Sequence, residues 1–366
     1  MVPERATDSV RRVVQGEGSG MSRARTQGAL ALVVLLASGL VGCSGTETAA
    51  GPVSTRACVI LPDTDASTRW EESDRPAIER AARDAGFAVA VESAPGDPTE
   101  YAAVADGLLA DGCGVMILTD IGGAAVPVVD TAHTAGIPVI AYDRPLAGAD
   151  YLVSFDYAEI GRMQGRSIVE ALSAEGRAPG LANVYYVGAD ASDATTAMIR
   201  EGAIDTMASA GVSAFSEFAG AASADELAAN FSTALDAHNG RVDAVWAAND
   251  TTAATVVSVL DARGLTAAVT GQDATTQGLR NLILGKQVST IAKLYRDEAT
   301  AAAKVAVKLL FGEEPDADGE LDGTPFVSVG SSLVTSANVA SYLNSGAVSA
   351  SAVCSGIEAA CAALGL

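Results

Sequence analysis

Between Cys58 and Leu310 apolar and polar positions alternate in two registers along the chain. Short unbroken apolar runs read as strands buried on both faces, and longer 3.6-periodic segments between them read as helices. The runs are CVILPD from Cys58, AVAVES, GVMILTD, IPVIAYD and YLVSFD, with helices predicted over Arg75–Ala85, Glu100–Ala110 and Ala124–Ala135. Gly86 and Gly136 follow the first and third helices, where a left-handed C-cap is expected. The alternation restarts with a helix over Tyr157–Leu172. It continues through strands ANVYYVGAD, Val212–Phe218, VDAVWAAND, AAVTGQD and VSTIAK, with helices over Ala194–Ala210, Asp225–His238, Thr251–Arg263 and Thr275–Leu284. A helix over Glu298–Leu310 and an extended segment, FVSVGSSLVT, follow. Strand–helix–strand at this spacing predicts two consecutive α/β halves, each a doubly wound parallel sheet.

Ligands of open parallel sheets lie beyond the carboxyl ends of the strands. Those ends carry Asp63, Thr119-Asp120, Asp143-Arg144, Asp156, Asp190 with nearby Asp193, Asn249-Asp250, Gln272-Asp273 and Lys293. Two halves facing each other would line one cleft with carboxylates, amides and cations. That mixture suits a neutral polyol, whose hydroxyls donate to Asp and accept from Arg, Lys and Asn. Trp70, in the loop after the first strand, reads either as a face that stacks on the C–H side of a pyranose or as a lid against protein core; Trp246, inside a strand, reads as core.

At the N-terminus, Arg23 and Arg25 precede the apolar run Ala29–Leu36, and Leu40-Val-Gly-Cys43 follows. A basic segment, a short apolar run and small residues before a cysteine read as a secretory signal. The ending resembles a bacterial lipobox, which implies cleavage before Cys43 and lipid on its sulfur. Residues 1–42 are therefore expected to be a lipoprotein signal peptide, with 1–20 either an extended n-region or upstream of a start at Met21. Residues 43–55 form a small-residue linker.

Composition narrows the partners. A formal charge of -22 argues against nucleic acid and against an anionic membrane surface, so the lipid is the expected membrane contact. Two histidines make a His-based triad or a His-rich metal site hard to assemble, and no cofactor or metal is expected. Beyond Cys43 four cysteines remain. Cys58 and Cys113 each open a strand, and in the strand order 2-1-3 those strands are neighbours; Cys354 and Cys361 lie close together near the C-terminus. These are the expected bridges, although four cysteines allow three pairings.

The segments LPDTDASTRW, IPVIAYDR, YLVSFDYAEIGRMQG, AANDTTA, TGQDATTQGLRNL and VSTIAK occur in one order. Together they resemble the periplasmic sugar-binding proteins of ABC importers, type I fold, in the xylose-binding and multiple-monosaccharide-binding branch, over residues 56 to 343. The resemblance implies sugar contacts from Arg69, Trp70, Asp143 and Arg144 of one lobe, from Asp193, Asn249 and Asp273 of the other, and from Lys293 at the hinge. It implies three crossovers, near Ser154–Tyr157, Ala292–Leu294 and Pro325. The N-terminal lobe would then hold 56–154 plus 293–325 and the C-terminal lobe 155–292 plus 326–350, leaving 351–366 as a tail. It also implies a monomer that carries a monosaccharide, xylose-like, to a permease and ATPase from the extracytoplasmic face of the cell membrane. Two departures bear on the sugar. Asp193-Ala-Thr-Thr-Ala197 stands where the family usually has a segment like Asp-Asn-Asn-Ala, and Leu294 follows the hinge lysine where xylose-type members often have proline.

Three other readings compete. A sugar-sensing repressor would need a basic helix-turn-helix segment at the front, where this chain has a signal-like segment. A receptor subunit serving a sensor kinase or chemoreceptor would use the same cleft. A glycosidase would need a carboxylate pair with one raised pKa, and nothing in the sequence marks such a pair, so no enzyme is expected.

Overall fold

The structure, a computed structural model, describes residues 55–63, 69–189, 194–221 and 223–366. The expected signal peptide, Cys43, nearly all of the linker, Asp190 and Asp193 lie outside the described residues.

Strands β1 (Arg56–Pro62), β2 (Ala88–Ala94), β3 (Val115–Leu118), β4 (Val139–Tyr142) and β5 (Tyr151–Phe155) form a parallel sheet in the order β2-β1-β3-β4-β5. Apart from Arg56 at the start of β1, the three inner strands are apolar and buried, as a sheet covered on both faces requires. Helices α1 (Arg75–Ala85), α2 (Pro98–Ala110) and α3 (Val126–Thr134) connect these strands. Asp97 caps α2 by accepting from the amides of Thr99 and Glu100, and Gly86 ends α1 at φ 80°, a conformation that glycine adopts without steric cost.

After β5 the chain enters α4 (Tyr157–Ala174) and builds the second half. There β6 (Val184–Val187), α5 (Ala194–Ser209), β7 (Ala214–Phe218), α6 (Ala224–Ala237), β8 (Ala244–Ala247), α7 (Asp250–Arg263), β9 (Ala268–Val269), α8 (Thr276–Ile283) and β10 (Thr290–Lys293) alternate. The sheet order is β7-β6-β8-β9. The Val288 and Asp273 amides, bonded to Val269 O and Ile291 O, tie β10 to the β9 side, so the second half repeats the order of the first. Helix α9 (Tyr295–Leu310) then returns to the first lobe and packs on α1. It starts three residues earlier than its periodicity predicts.

The expected third crossover near Pro325 needs correction. After β11 (Gly319–Leu321), β12 (Thr324–Val329) pairs in parallel with β5, from Phe326 opposite Leu152 to Val329 opposite Phe155. Residues 326–329 therefore complete the first-lobe sheet, and the chain leaves that lobe at Gly330. Strand β13 (Ser331–Val334) is antiparallel to β10 in the second lobe. The expected tail is also part of that lobe. Helices α10 (Val339–Asn344), α11 (Ala350–Cys354) and α12 (Glu358–Ala363) follow, and both α10 and α11 pack on α8. Arg280 of α8 donates to Val353 O at 2.8 Å, and Val353 is fully buried. Both expected disulfides are present, Cys58–Cys113 joining β1 to the start of β3 and Cys354–Cys361 joining α11 to α12.

Candidate functional site

The two halves place one aspartate each at equivalent strand ends. Asp143 follows β4 and Asp273 follows β9; both have left-handed backbones, φ 67° and 98°. Each amide donates to the next strand, Asp143 to Val153 O at 2.9 Å and Asp273 to Ile291 O at 2.7 Å. Those bonds hold a conformation that non-glycine residues seldom adopt and that recurs at functional sites.

On the first lobe, Asp143 Oδ1 accepts from Arg69 Nη1 and from the Tyr157 hydroxyl, each at 3.0 Å. Its Oδ2 lies 3.7 Å from Arg144 Nε. Although buried, Asp143 stays below the usual carboxylate range, because the charges of Arg69, Lys293 and Arg144 outweigh the cost of burial. Arg69 is enclosed. Its Nε and Nη2 donate to Asp74 at 2.9 and 3.0 Å, and Nη2 also donates to Glu298 Oε2 at 3.0 Å. Its guanidinium lies 4.2 Å from the Trp70 ring centroid and 3.7 Å from that of Tyr295.

Arg69 was expected to contact ligand, but four of its hydrogen bonds go to protein carboxylates. Of the two readings of Trp70, the lid against protein core fits the structure: the residue is only 2% exposed, with the guanidinium of Arg69 over its ring. The turn Trp70–Asp74 is a single π-helical turn leading into α1, a widening that recurs at functional sites; it puts Asp74 back under Arg69.

On the second lobe, Asn249, Gln272, Asp273 and Lys293 line a cavity of about 160 Å³ together with Ala189, Thr195 and Thr196. The Asn249 oxygen caps α7 by accepting from Thr252 N at 2.9 Å, which leaves its NH₂ group as the donor toward the cavity. Lys293 Nζ lies 3.1 Å from Asp273 Oδ1 and 5.5 to 5.9 Å from the ring centroids of Tyr157, Tyr295 and Phe155. Burial alone would lower the Lys293 pKa, but Asp273, the two tyrosines and Asp143 raise it well above its ordinary value, so it remains cationic. Asp273 and Lys293 also border an open groove of about 540 Å³ between α1 and the residues after α10.

Several strand-end residues serve the fold instead. Asp120 accepts from the amides of Gly123 and Ala125, and Asp156 caps α4. Asp250 is buried, accepting from Thr275 N and Oγ1 and from Gln287 Nε2. Burial pushes its pKa up to about 6 against the pull of those bonds. Asp74, Tyr157, Tyr295 and Glu298 were not foreseen. Glu298 alone left a trace, as an acid sharing the buried face of α9 with Ala302 and Val305.

The family described as periplasmic binding protein domain matches residues 58–314. The chain belongs to the periplasmic binding protein family. It is 30% identical over 264 residues to the D-xylose-binding periplasmic protein of Escherichia coli (strain K12), covering 69% of this chain and 78% of that one. It is 28% identical to the multiple sugar-binding periplasmic receptor ChvE of Rhizobium radiobacter, covering 70% and 78%. Among solved structures, an ABC transporter solute-binding protein from Clostridium phytofermentans with bound β-D-glucose superposes with a TM-score of 0.69 at 24% identity, covering 81% of this chain and 99% of that one. This periplasmic binding protein thus has the two-lobe, three-crossover architecture of the type I fold, in the branch of the D-xylose-binding and multiple sugar-binding proteins.

Proposed function

We propose that this protein captures a monosaccharide, an aldopentose or aldohexose, in the cleft between its lobes and delivers it to an ABC permease. The observation that carries this reading is Lys293 at the hinge, ion-paired with Asp273 at 3.1 Å and acting electrostatically on Asp143. Two carboxylate acceptors, the amide donors of Asn249 and the ammonium of Lys293 match the alternating needs of sugar hydroxyls. Arg144 and Asp193 belong to the same proposed site. The names of the relatives support the class of ligand. A sugar bonded to both lobes would stabilise the closed form, the form that a permease would read.

A role as receptor subunit for a sensor protein is the second reading, favoured by the relative named a receptor. Catalysis is not part of the proposal. Asp250 and Glu298, buried acids whose pKa is raised, are both fully or nearly fully buried and bonded to protein groups.

A thermal-shift screen over aldopentoses and aldohexoses tests the reading, because a ligand that binds only the folded state raises the melting point. No shift with any monosaccharide, confirmed by calorimetry, would sink it. The proposed lipid anchor on Cys43 is tested separately, by mass spectrometry of the N-terminal peptide from native membranes; an unmodified start elsewhere would refute it.

A further inference from the structure

Arg69 brings one positive charge to three carboxyl groups, Asp74, Asp143 and Glu298, all 2.9 to 3.0 Å from its nitrogens. The side chains of Asp74 and Glu298 are fully buried and that of Asp143 nearly so. The other cations close by are already engaged, Lys293 with Asp273 and Arg144 with Asp143. Among the described residues, four carboxyl groups thus share three cations in a poorly hydrated site, and an uncompensated buried charge is costly. A proton on one carboxyl group removes the excess. Asp74 accepts two bonds from Arg69 and one from the Tyr142 hydroxyl, and Asp143 accepts from Arg69 and Tyr157. Glu298 accepts a single bond at Oε2, and its Oε1 has no partner among the described residues. It is the carboxyl group least committed to the anionic form.

We propose that Glu298 is a positioning residue: as a neutral acid it holds the Arg69 guanidinium in place, so that Asp143 stays anionic and presents Oδ2 to the sugar. The inference rests on the sugar-binding reading for its affinity readout. The groups facing Glu298 are Arg69 and Asp74 before α1, Tyr142 and Asp143 at the end of β4, Tyr157 at the start of α4, and Lys293 and Tyr295 at the hinge. Burial and the charges of Asp143 and Asp74 push its carboxyl pKa well up, against the pull of Arg69 and Lys293. A neutral Glu298 takes no share of the Arg69 charge from Asp143. Its location on α9, just past the second crossover, also links Arg69 to the hinge.

Three proteins test this: the parent, Glu298→Leu and Glu298→Gln. Leu keeps the volume and removes the acceptor; Gln keeps the shape of the neutral acid. Calorimetry with the best monosaccharide of the screen should show Glu298→Leu binding at least tenfold more weakly, and Glu298→Gln restoring affinity to within about threefold of the parent with the same pH profile. Apo melting curves confirm that both variants are folded at the assay temperature. A readout that needs no sugar accompanies these. At pH 8 the parent's infrared spectrum should show the carbonyl band of an un-ionised carboxylic acid, and Glu298→Gln should lack it. The inference is overturned if folded Glu298→Leu binds like the parent, if Gln loses as much as Leu, or if the parent and Gln spectra match. A parent that binds no monosaccharide defeats the sugar reading instead, and the infrared comparison still judges the protonation of Glu298.

Discussion

At Arg144 and Asn249 the proposed ligand contact can be tested apart from a structural role. A charged hydrogen bond to a ligand hydroxyl is worth roughly 1.5–3 kcal/mol. Arg144→Ala should weaken sugar binding about tenfold to a hundredfold by calorimetry, with the apo melting point nearly unchanged. Asn249→Asp keeps the α7 cap but removes the NH₂ donors, so it should lose affinity without losing stability. Asp250 should behave in the opposite way. A Cβ at Gly271 or Gly278 would come within 2.1 or 2.0 Å of its carboxylate. Gly278→Ala should therefore cost about 1–3 kcal/mol in denaturant titrations. Its pKa of about 6, against an ordinary 3.8, fixes a sign. Above the ordinary value the unfolded chain has released the proton that the fold still holds. The Asp250 contribution to stability thus falls between about pH 4 and 6 and is flat above, by on the order of 3 kcal/mol. The stability gap between parent and Asp250→Asn should shrink by that amount across the window; a constant gap would mean an unshifted carboxylate. Asp143, Asn249, Asp273 and Lys293 are legible in the sequence because each ends an apolar run at the cleft edge. Glu298 is not, because 229 residues separate it from its partner Arg69, and Asp74 is not, because only the π-turn brings it back to Arg69.

Helices α4 and α5 meet through glycines. A Cβ on Gly161 would lie 1.9 Å from Ile199 O, and one on Gly202 2.1 Å from Ala158 O. Backbone atoms cannot yield as side-chain ends do, so Gly161→Ala or Gly202→Ala must push the helices apart. A loss of about 1–3 kcal/mol is expected from equilibrium unfolding, and ordinary van der Waals tolerance at these positions would show as no loss. Because α4 starts at the first crossover, the same variants should also change the degree of closure in solution scattering. Most strands and helices were legible from periodicity alone. The misplaced element, β12, illustrates the limit. It is half-buried and lies between β11 and β5, the latter more than 150 residues earlier, and nothing local distinguishes it from a second-lobe strand. The π-turn Trp70–Asp74 left no mark either, since widening one turn does not alter the apolar pattern that follows.

At the scale of the molecule, two bridges staple the lobes separately. Cys58–Cys113 closes 55 residues of the first lobe and Cys354–Cys361 seven of the second. Chain entropy assigns about 4 kcal/mol to the former and about 2 to the latter. The Cys58→Ala, Cys113→Ala double variant should therefore melt lower than the Cys354→Ala, Cys361→Ala pair in calorimetric scans; the reverse order would show that the C-terminal helices hold more of the fold than their length suggests. The two-lobe architecture was legible because alternation restarts at Tyr157. The assignment of the last helices was not. Val339, Leu343 and Val353 share one buried cluster with Leu279 and Leu282 of α8, but helices of five or six residues are too short to display a periodic apolar stripe.

The left-handed backbones of Asp143 and Asp273 also restrict how this cleft can evolve. At φ 67° and 98° a β-branched or bulky residue is strained, while Asp, Asn and Gly are tolerated. A shift in sugar preference by point mutation is therefore channelled away from these two positions and toward their neighbours on ordinary backbone, Arg144 and Gln272. A library randomised at 143 and 273 and sorted only for folding should return little beyond Asp, Asn and Gly, whatever sugar it is later asked to bind.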